Sequence, residues 1–588
     1  MRTKMFTPLK NAGQVIEEID LTLDQPATGP DAVAFANFTF VPQLALKDIH
    51  LPVLTPLVGM DVPGSPPEPV FDSAAQGDVQ GNIIPGFNKD HQHFLFLRIR
   101  KPKYAKAFLR EILPRISTME EVIAFRRLYR SRRFLLGRHN TYLCSTWVNI
   151  GFSHRAIELL ASKADADAFG DRSFQLGLAR RSSYLGDPTS PKQNGFSRKW
   201  KVGGPKNEAD IVLILASDHV SVLDDLVDLV KLRASAAALE LIFEQRGDTL
   251  PGNLRGHEHF GFKDGISQPG VRGKLSPAPG DYITPRYISA GDARRLYLAR
   301  PGQQLVWPGQ FLLGEQRQST EDQLNAAAAA ANFPTWARRG SYLVVRRLQQ
   351  DVRQFYGFVA RGAARVGLAP DKFAAMLVGR WPSGAPILRV PGADNPALGD
   401  DDFANNHFIF DDDTRPSSLT PIPGYPGDAF PQAAADFLAQ VCPHFAHIRK
   451  VHPRDTATEM GKPADTFARL ILRRGIPYGP RLVGVKRPKP SLIAKDRGLM
   501  FLCYGASIED QFEFLQRRWS NSGSQPNRGG FDPIIGQNGR HGSRVRFIDF
   551  PTPAGIVRIK MKDEWVTPTG GGYFFAPTIS AIRDVLAA

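Results

Sequence analysis

Apolar residues along this chain gather into short, nearly continuous runs, each followed by a stretch of helical spacing. His93-Phe-Leu-Phe-Leu-Arg-Ile99 and Ile211-Val-Leu-Ile-Leu-Ala216 have strand length and little alternation, which predicts strands covered on both faces. Tyr104 to Ile116 is helical in spacing. Asp218 is predicted to cap a second helix, with Val222, Leu226, Leu229 and Val230 along its buried face. The same order recurs later in the chain. Ser341-Tyr-Leu-Val-Val-Arg346 reads as a strand, Asp351 to Ala363 as a helix, and Leu499-Met-Phe-Leu-Cys-Tyr504 as another strand. Ser507 with Asp510 then forms a capping-box pattern ahead of Ile508, Phe512, Leu515 and Trp519. The pattern predicts an α+β chain built by duplication, with helices packed on one face of each sheet. A doubly wound nucleotide-binding sheet is disfavoured, because no glycine-rich fingerprint follows the early strands.

Between these elements lie long connections, Gly273 to Arg338 and Gly384 to Phe430, of a length usual for functional covers. Ala326 to Ala331 within the first is predicted to be a short helix. Residues 1–76 end in Asp61-Val-Pro-Gly-Ser-Pro-Pro-Glu-Pro69 and read as a linker or wrapping arm, with ordered structure expected from near Gly77.

Composition narrows the class. The 588 residues are 42% hydrophobic and 22% charged, an ordinary globular balance. No apolar run is long enough to span a membrane. The net charge of +16 suits acidic partners, yet the basic residues fall in scattered doublets such as Arg126-Arg127 and Arg180-Arg181, so no nucleic-acid partner is expected. Cys144, Cys442 and Cys503 lie far apart in apolar stretches, which excludes a disulfide framework, a CxxC zinc site and covalent CxxCH haem attachment. The N-terminus lacks the apolar core of a secretory signal, and a cytoplasmic location is expected.

Three segments carry candidate chemistry. In Gly256-His-Glu-His-Phe-Gly-Phe-Lys-Asp-Gly265, Asp264 sits between glycines that allow a tight turn and close approach of another group; an Asx-type turn is the competing explanation. Cys442-Pro-His-Phe-Ala-His-Ile-Arg-Lys-Val-His-Pro453 holds three of the chain's 13 histidines, with His444 and His447 at a spacing that shares a helix face. Ligands for zinc are too few there, whereas one axial histidine suffices for haem. Leu470-Ile-Leu-Arg-Arg-Gly-Ile-Pro-Tyr478 places two arginines after an apolar run, one able to point inward and one to solvent.

Taken together and in this order, the segments resemble the dye-decolourising peroxidases. Val79-Gln-Gly-Asn-Ile-Ile-Pro-Gly-Phe-Asn88, Gly379-Arg-Trp-Pro-Ser-Gly384 and Thr567-Pro-Thr-Gly-Gly-Gly-Tyr573 add to the likeness, which runs from about Gly77 to the C-terminus and is nearest to the longer members. The resemblance implies two tandem ferredoxin-like (split β-α-β) halves with antiparallel sheets, at 77–335 and 336–588, behind an N-terminal extension at 1–76. It implies haem b, an iron protoporphyrin IX held non-covalently, with His447 as the proximal iron ligand and Asp264 and Arg473 on the distal face. Leu499 and Phe501, alternate residues of one strand, would wall that distal pocket. Asp532 in Gly530-Phe-Asp-Pro-Ile-Ile535 is expected to support the proximal imidazole, in preference to Glu513, which has Arg517 four residues on as a helical partner. Arg346 and Arg449 are candidates for the haem propionates. The chain departs from the family at His444 and at Val451-His452-Pro453, which leaves His444 or His452 as a substitute ligand.

The activity implied is reduction of hydrogen peroxide with oxidation of dyes, phenolics or other aromatic donors through a ferryl intermediate. Haem binding or transfer without turnover is the alternative, and retention of both Asp264 and Arg473 favours catalysis. Asp264 would move a proton between peroxide oxygens and Arg473 would hold the charge that develops. An ordinary aspartate pKa of about 3.9 predicts an optimum below neutral pH. Trp519 and Tyr478 are candidate relays to dyes too bulky to enter.

Overall fold

The computed structural model describes residues 61–136, 143–288, 293–411, 430–485, 487–539 and 544–588. The first sixty residues of the expected extension and 412–429 of the second long connection lie outside them.

Two units of the same plan follow each other. The first comprises β1 (His91–Ile99), α1 (Pro102–Ile112), β2 (Thr146–Phe152), β3 (Ile211–Ser217), α2 (Val220–Ala236) and β4 (Leu239–Asp248). The second comprises β5 (Ser341–Gln350), α3 (Val352–Val366), a short helix α4 (His447–Val451), β6 (Leu472–Arg473), β7 (Ile476–Tyr478), β8 (Gly498–Gly505), the wide-turned π-helix α5 (Ile508–Ser520) and β9 (Val566–Ala576). Strand order is β2-β3-β1-β4 in the first unit and β6/β7-β8-β5-β9 in the second, and both are antiparallel throughout. These are split β-α-β, ferredoxin-like sheets. One residue pair, Phe575 with Phe152, joins β9 to β2 and makes a single continuous sheet.

Alternation along β1 explains why its sequence is apolar without a break. Leu95 and Leu97 face a core with Phe108 and Leu109 of α1 and Val227 of α2. Phe94 and Phe96 face the opposite way, into a core with Leu343 and Val345 of β5 and Met500 and Leu502 of β8. The second core belongs to both units, so each unit's strands are covered on one face by those of the other, and the first unit's outer face is covered by α1 and α2. Burial on both faces is what removes the polar alternation.

Several expectations are revised. Ala326–Ala327 is a short strand paired with Arg317–Gln318, not a helix; two ladder partners override alanine's intrinsic preference. His219, not Asp218, precedes α2 as its cap, and the Asp218 carboxylate instead accepts from Ser145 N and the Lys89 ammonium. At α5 the Ser507 hydroxyl does accept from Asp510 N, but the return bond to Ser507 N comes from Gln511. Residues 61–76 are packed rather than a spacer. Glu68 is bound by the buried guanidinium groups of Arg272 and Arg286, and Phe71 is 1% exposed. The three cysteines are free; Cys442 and Cys503 are buried.

Candidate active site

Register on β5 and β8 builds one wall of a large cavity. Arg346 stands opposite Phe501 and Leu348 opposite Leu499, so these four side chains share a face, while Arg347 and Met500 share the other. All four of the first set line a cavity of about 1840 Å³, counting its solvent mouth. Leu499 and Phe501 thus lie where strand alternation puts them.

Asp264 reaches the same cavity from a turn that only glycine permits at two points. Gly261 has φ +89° and Gly265 φ +80°, conformations costly for residues with a Cβ. Asp264 N donates to the Gly256 carbonyl at 2.9 Å, and its Oδ1 accepts from Gly265 N at 2.6 Å, so the Asx turn and the cavity-facing role coexist. Oδ1 also accepts from Arg473 Nη1 at 2.6 Å. The Gln268 amide fixes this pair by donating to the Arg473 carbonyl and accepting from Arg473 N. Burial drives the Asp264 carboxyl up more than any single partner draws it down, but the Arg473 charge, the hydrogen bonds from Gly265 and Arg473 and the nearby His447 together hold the group below the ordinary aspartate range. Neither arginine of the doublet points to solvent: Arg474 turns the other way and donates to the carbonyls of Asn82, Ile83 and Pro85.

His447 opens α4 and lines the cavity. Its Nδ1 is 2.8 Å from Asp532 Oδ2, which leaves Nε2 as the ring nitrogen free for a ligand. Asp532 is fully buried, and its Oδ1 accepts from Ile534 N and Ile535 N at 2.8 and 3.0 Å. Burial alone would lower the imidazole pKa; Asp532 reverses that and raises it, while His447 in turn keeps Asp532 low. Glu513 is no competitor, but not for the expected reason. It is 2% exposed and accepts from Ser173, Arg181 and Tyr573, whereas Arg517 bonds the Tyr184 hydroxyl.

Other expectations fare differently. Arg346 lines the cavity and is held by a bidentate pair with Asp187 at 2.8 and 3.0 Å. Arg449 does not: it is two residues past His447 on a helix, hence on the far side, and it binds Asp436, Asp411 and the Cys442 carbonyl. His444 precedes α4, so helical spacing never applies to it; it packs against Gly529 away from the cavity. His452 does line the cavity, but its Nε2 is engaged with Gln304 Oε1 at 2.6 Å. Trp519 and Tyr478 are 0% and 2% exposed, Trp519 donating to Glu459 and Tyr478 lying under the Arg347 guanidinium, so neither meets a bulky dye at the surface.

Sequence reasoning missed other polar members of the lining, among them Lys263, Arg380, Arg454, Glu258 and Gln350. Arg380 lies in the quoted Gly379-Arg-Trp-Pro-Ser-Gly384 segment, and Glu258 and Lys263 lie in the quoted segment around Asp264, which are the available signals. It donates to Ser267, Asn406 and two carbonyls, and among the described residues it bonds no carboxylate. The donor set fits haem: an imidazole nitrogen left over on one side, apolar walls from Leu499, Phe501, Ile448 and Ile534, and buried guanidinium groups at the rim suited to carboxylates.

Comparison with known proteins places the chain. Residues 78–250 match the family model described as the DyP dimeric alpha+beta barrel domain, and 426–528 match the Dyp-type peroxidase C-terminal model. Dye-decolorizing peroxidase msp1 of Mycetinis scorodonius is 30% identical over 558 residues, covering 89% of this chain and 92% of that protein. Dye-decolorizing peroxidase AauDyP1 of Auricularia auricula-judae is 30% identical over 552 residues, covering 90% and 91%. Among solved structures, an ancestral D-type dye-decolorizing peroxidase matches with TM-score 0.67 at 30% identity, over 87% of this chain and 99% of its own. With that extent and identity, the chain belongs to the dye-decolourising peroxidases, haem enzymes that reduce hydrogen peroxide at the expense of a reducing donor.

Proposed function

We propose that the cavity holds haem b non-covalently, with His447 Nε2 as its iron ligand, Asp532 as the support of that ligand, and Asp264 and Arg473 as the peroxide-handling pair. None of the three cysteines lines the cavity, in keeping with a non-covalent cofactor. Arg380 and Arg454 replace Arg449 as the groups to receive the propionates, and Arg346 and Lys263 stay candidates already paired with Asp187 and Asp400. Bound haem supplies the redox iron at which the O–O bond breaks and from which the donor is oxidised.

The chain's own residues manage protons and charge. Asp264, ionised because Arg473 lowers its pKa, takes a proton from one peroxide oxygen and returns it to the departing one, so that water leaves. Arg473 supplies a positive guanidinium that stabilises the negative charge on the departing oxygen. Asp532 keeps the His447 ring in one orientation and makes it a stronger donor. Hydrogen peroxide and aromatic reductants are the substrates this arrangement suits.

The observation that carries the reading is the convergence of His447, Asp264 and Arg473 on one cavity from three distant segments. The test is an absorption spectrum of the purified protein before and after equimolar peroxide. A Soret band that shifts with peroxide and returns on adding a phenol supports it. Purified protein that takes up no haem, or a band that ignores peroxide, rejects it.

A further inference from the structure

The turn that presents Asp264 is tied by a carboxyl group so far without a role. Glu258, on the same loop, faces the cavity. Its Oε2 accepts from Phe260 N at 2.8 Å and its Oε1 from Phe262 N at 3.0 Å. Its own backbone closes the knot, since Glu258 N donates to the Phe262 carbonyl and Gly261 N to the Glu258 carbonyl. From the second unit, Gln350 at the end of β5 donates its amide to Glu258 Oε2. Gln350 is buried and lines the same cavity, and its Oε1 has no partner among the described residues. The distal loop of the first unit is thereby fastened to the central strand of the second.

We propose that Glu258 is a positioning residue for the distal acid–base group, and that loss of its proton turns the peroxide step down on the alkaline side. The proposal rests on Asp264 being that acid–base group. Protonated, Glu258 is a neutral knot that holds the turn. Ionised, it adds a second negative charge beside Asp264, on the side where peroxide must itself become negative. Burial pushes the Glu258 carboxyl up to about 7, against three hydrogen-bond donors that favour its ionised form, and Asp264 adds to the rise.

The surrounding charges leave that second charge standing. Arg473 of β6 is committed to Asp264, Arg346 of β5 to Asp187, and Lys263 of the same loop to Asp400. Tyr356 of α3 spends its hydroxyl on the Phe260 carbonyl at 2.6 Å. His447 lines the cavity with its Nδ1 on Asp532. Gln350 is neutral, so it supports the ionised form without cancelling its charge.

The test is kcat/KM for peroxide of the holoenzyme across the acid to alkaline range. Glu258→Gln should abolish the fall centred near pH 7 and raise alkaline activity, relative to acid activity, by about fivefold or more. The acid limb should stay where it is, because Asp264 sets it. An alkaline fall with unchanged midpoint in Glu258→Gln overturns the proposal, as does a uniform loss with an unchanged profile. Gln350→Leu removes one donor to the ionised form and should move the fall to higher pH; no movement, or movement downward, counts against it. Should Glu258→Gln fail to fold, infrared titration of the parent decides: a protonated-carboxyl band must vanish near pH 7, and its absence overturns the proposal. Failure of the underlying reading looks different, because Asp264→Asn would then keep the peroxide rate whatever Glu258 does.

Discussion

Two carboxylates stand against cationic or imidazole partners at one cavity, and they are held in opposite ways. Asp532 has a side chain with 0% exposure and four-square support: one oxygen on His447, the other on two backbone amides. Asp264 is 41% exposed toward the cavity, and a single oxygen carries both its bonds, to Arg473 and Gly265. One pair is fixed and dry; the other keeps a free oxygen in reach of a substrate. A carboxylate meant to orient a ligand gains from having no free lone pairs, whereas one meant to move protons must keep one. Both hold their pKa low despite burial, so both stay ionised, and the geometry alone separates their tasks.

The sharpest way to break this contrast is at the reactive side. Asp264→Asn should lower kcat/KM for peroxide by roughly 10²–10⁴-fold while the haem spectrum persists. A loss within threefold, measured by stopped-flow with peroxide, would return Asp264 to the status of a turn residue. Arg473→Leu should cost roughly 10²–10³-fold. It also tests the cause of the low Asp264 pKa. With the guanidinium gone, only Gly265 N and His447 still oppose burial, so the acid limb must move to higher pH; in the parent it lies below the ordinary value of about 3.9, because the proton-accepting form survives further into acid. A limb that stays in place shows that Arg473 is not what holds Asp264 ionised.

On the fixed side the effect should be smaller and of another kind. Asp532→Asn should weaken haem retention or turnover by roughly 10–100-fold, with a changed Soret position reporting the altered imidazole. Retained affinity and an unchanged spectrum would make Asp532 a packing residue. Smallest of all is Trp519→Phe. Being wholly buried and bonded to Glu459, Trp519 should change turnover of a bulky dye by less than about twofold, beyond any loss of folded protein. A large selective loss for bulky dyes, with small phenols unaffected, would restore it as a relay.

The places where sequence reading held share a physical feature: the information was local. Strand length and unbroken apolarity marked β1, β3, β5 and β8, and glycines at positive φ marked the Asp264 turn. The strands read as equivalent in the two halves pair β1 with β5 and β3 with β8. Pairing was another matter. Asp218 was expected to cap a helix, Arg449 to hold a haem propionate and Glu513 to pair with Arg517, and each found its partners elsewhere: Lys89, Asp436 and Arg181. Partners brought by tertiary packing leave no periodic trace, because an ion pair depends on which loops meet rather than on spacing. Glu258 went unnoticed for the same reason, since half its environment comes from β5 in the other unit.

The amino-acid order by itself determined the strand–helix alternation, its repetition, and the three segments from which a peroxide site is built, since backbone conformation and side-chain type are written residue by residue. Only the folded chain decided that Asp264 is ionised by Arg473, that Asp532 holds His447, and that Arg380 rather than Arg449 faces the cavity. Those outcomes turn on distances of a few ångströms between segments far apart in the chain, and electrostatic energies at that range are set by packing and burial.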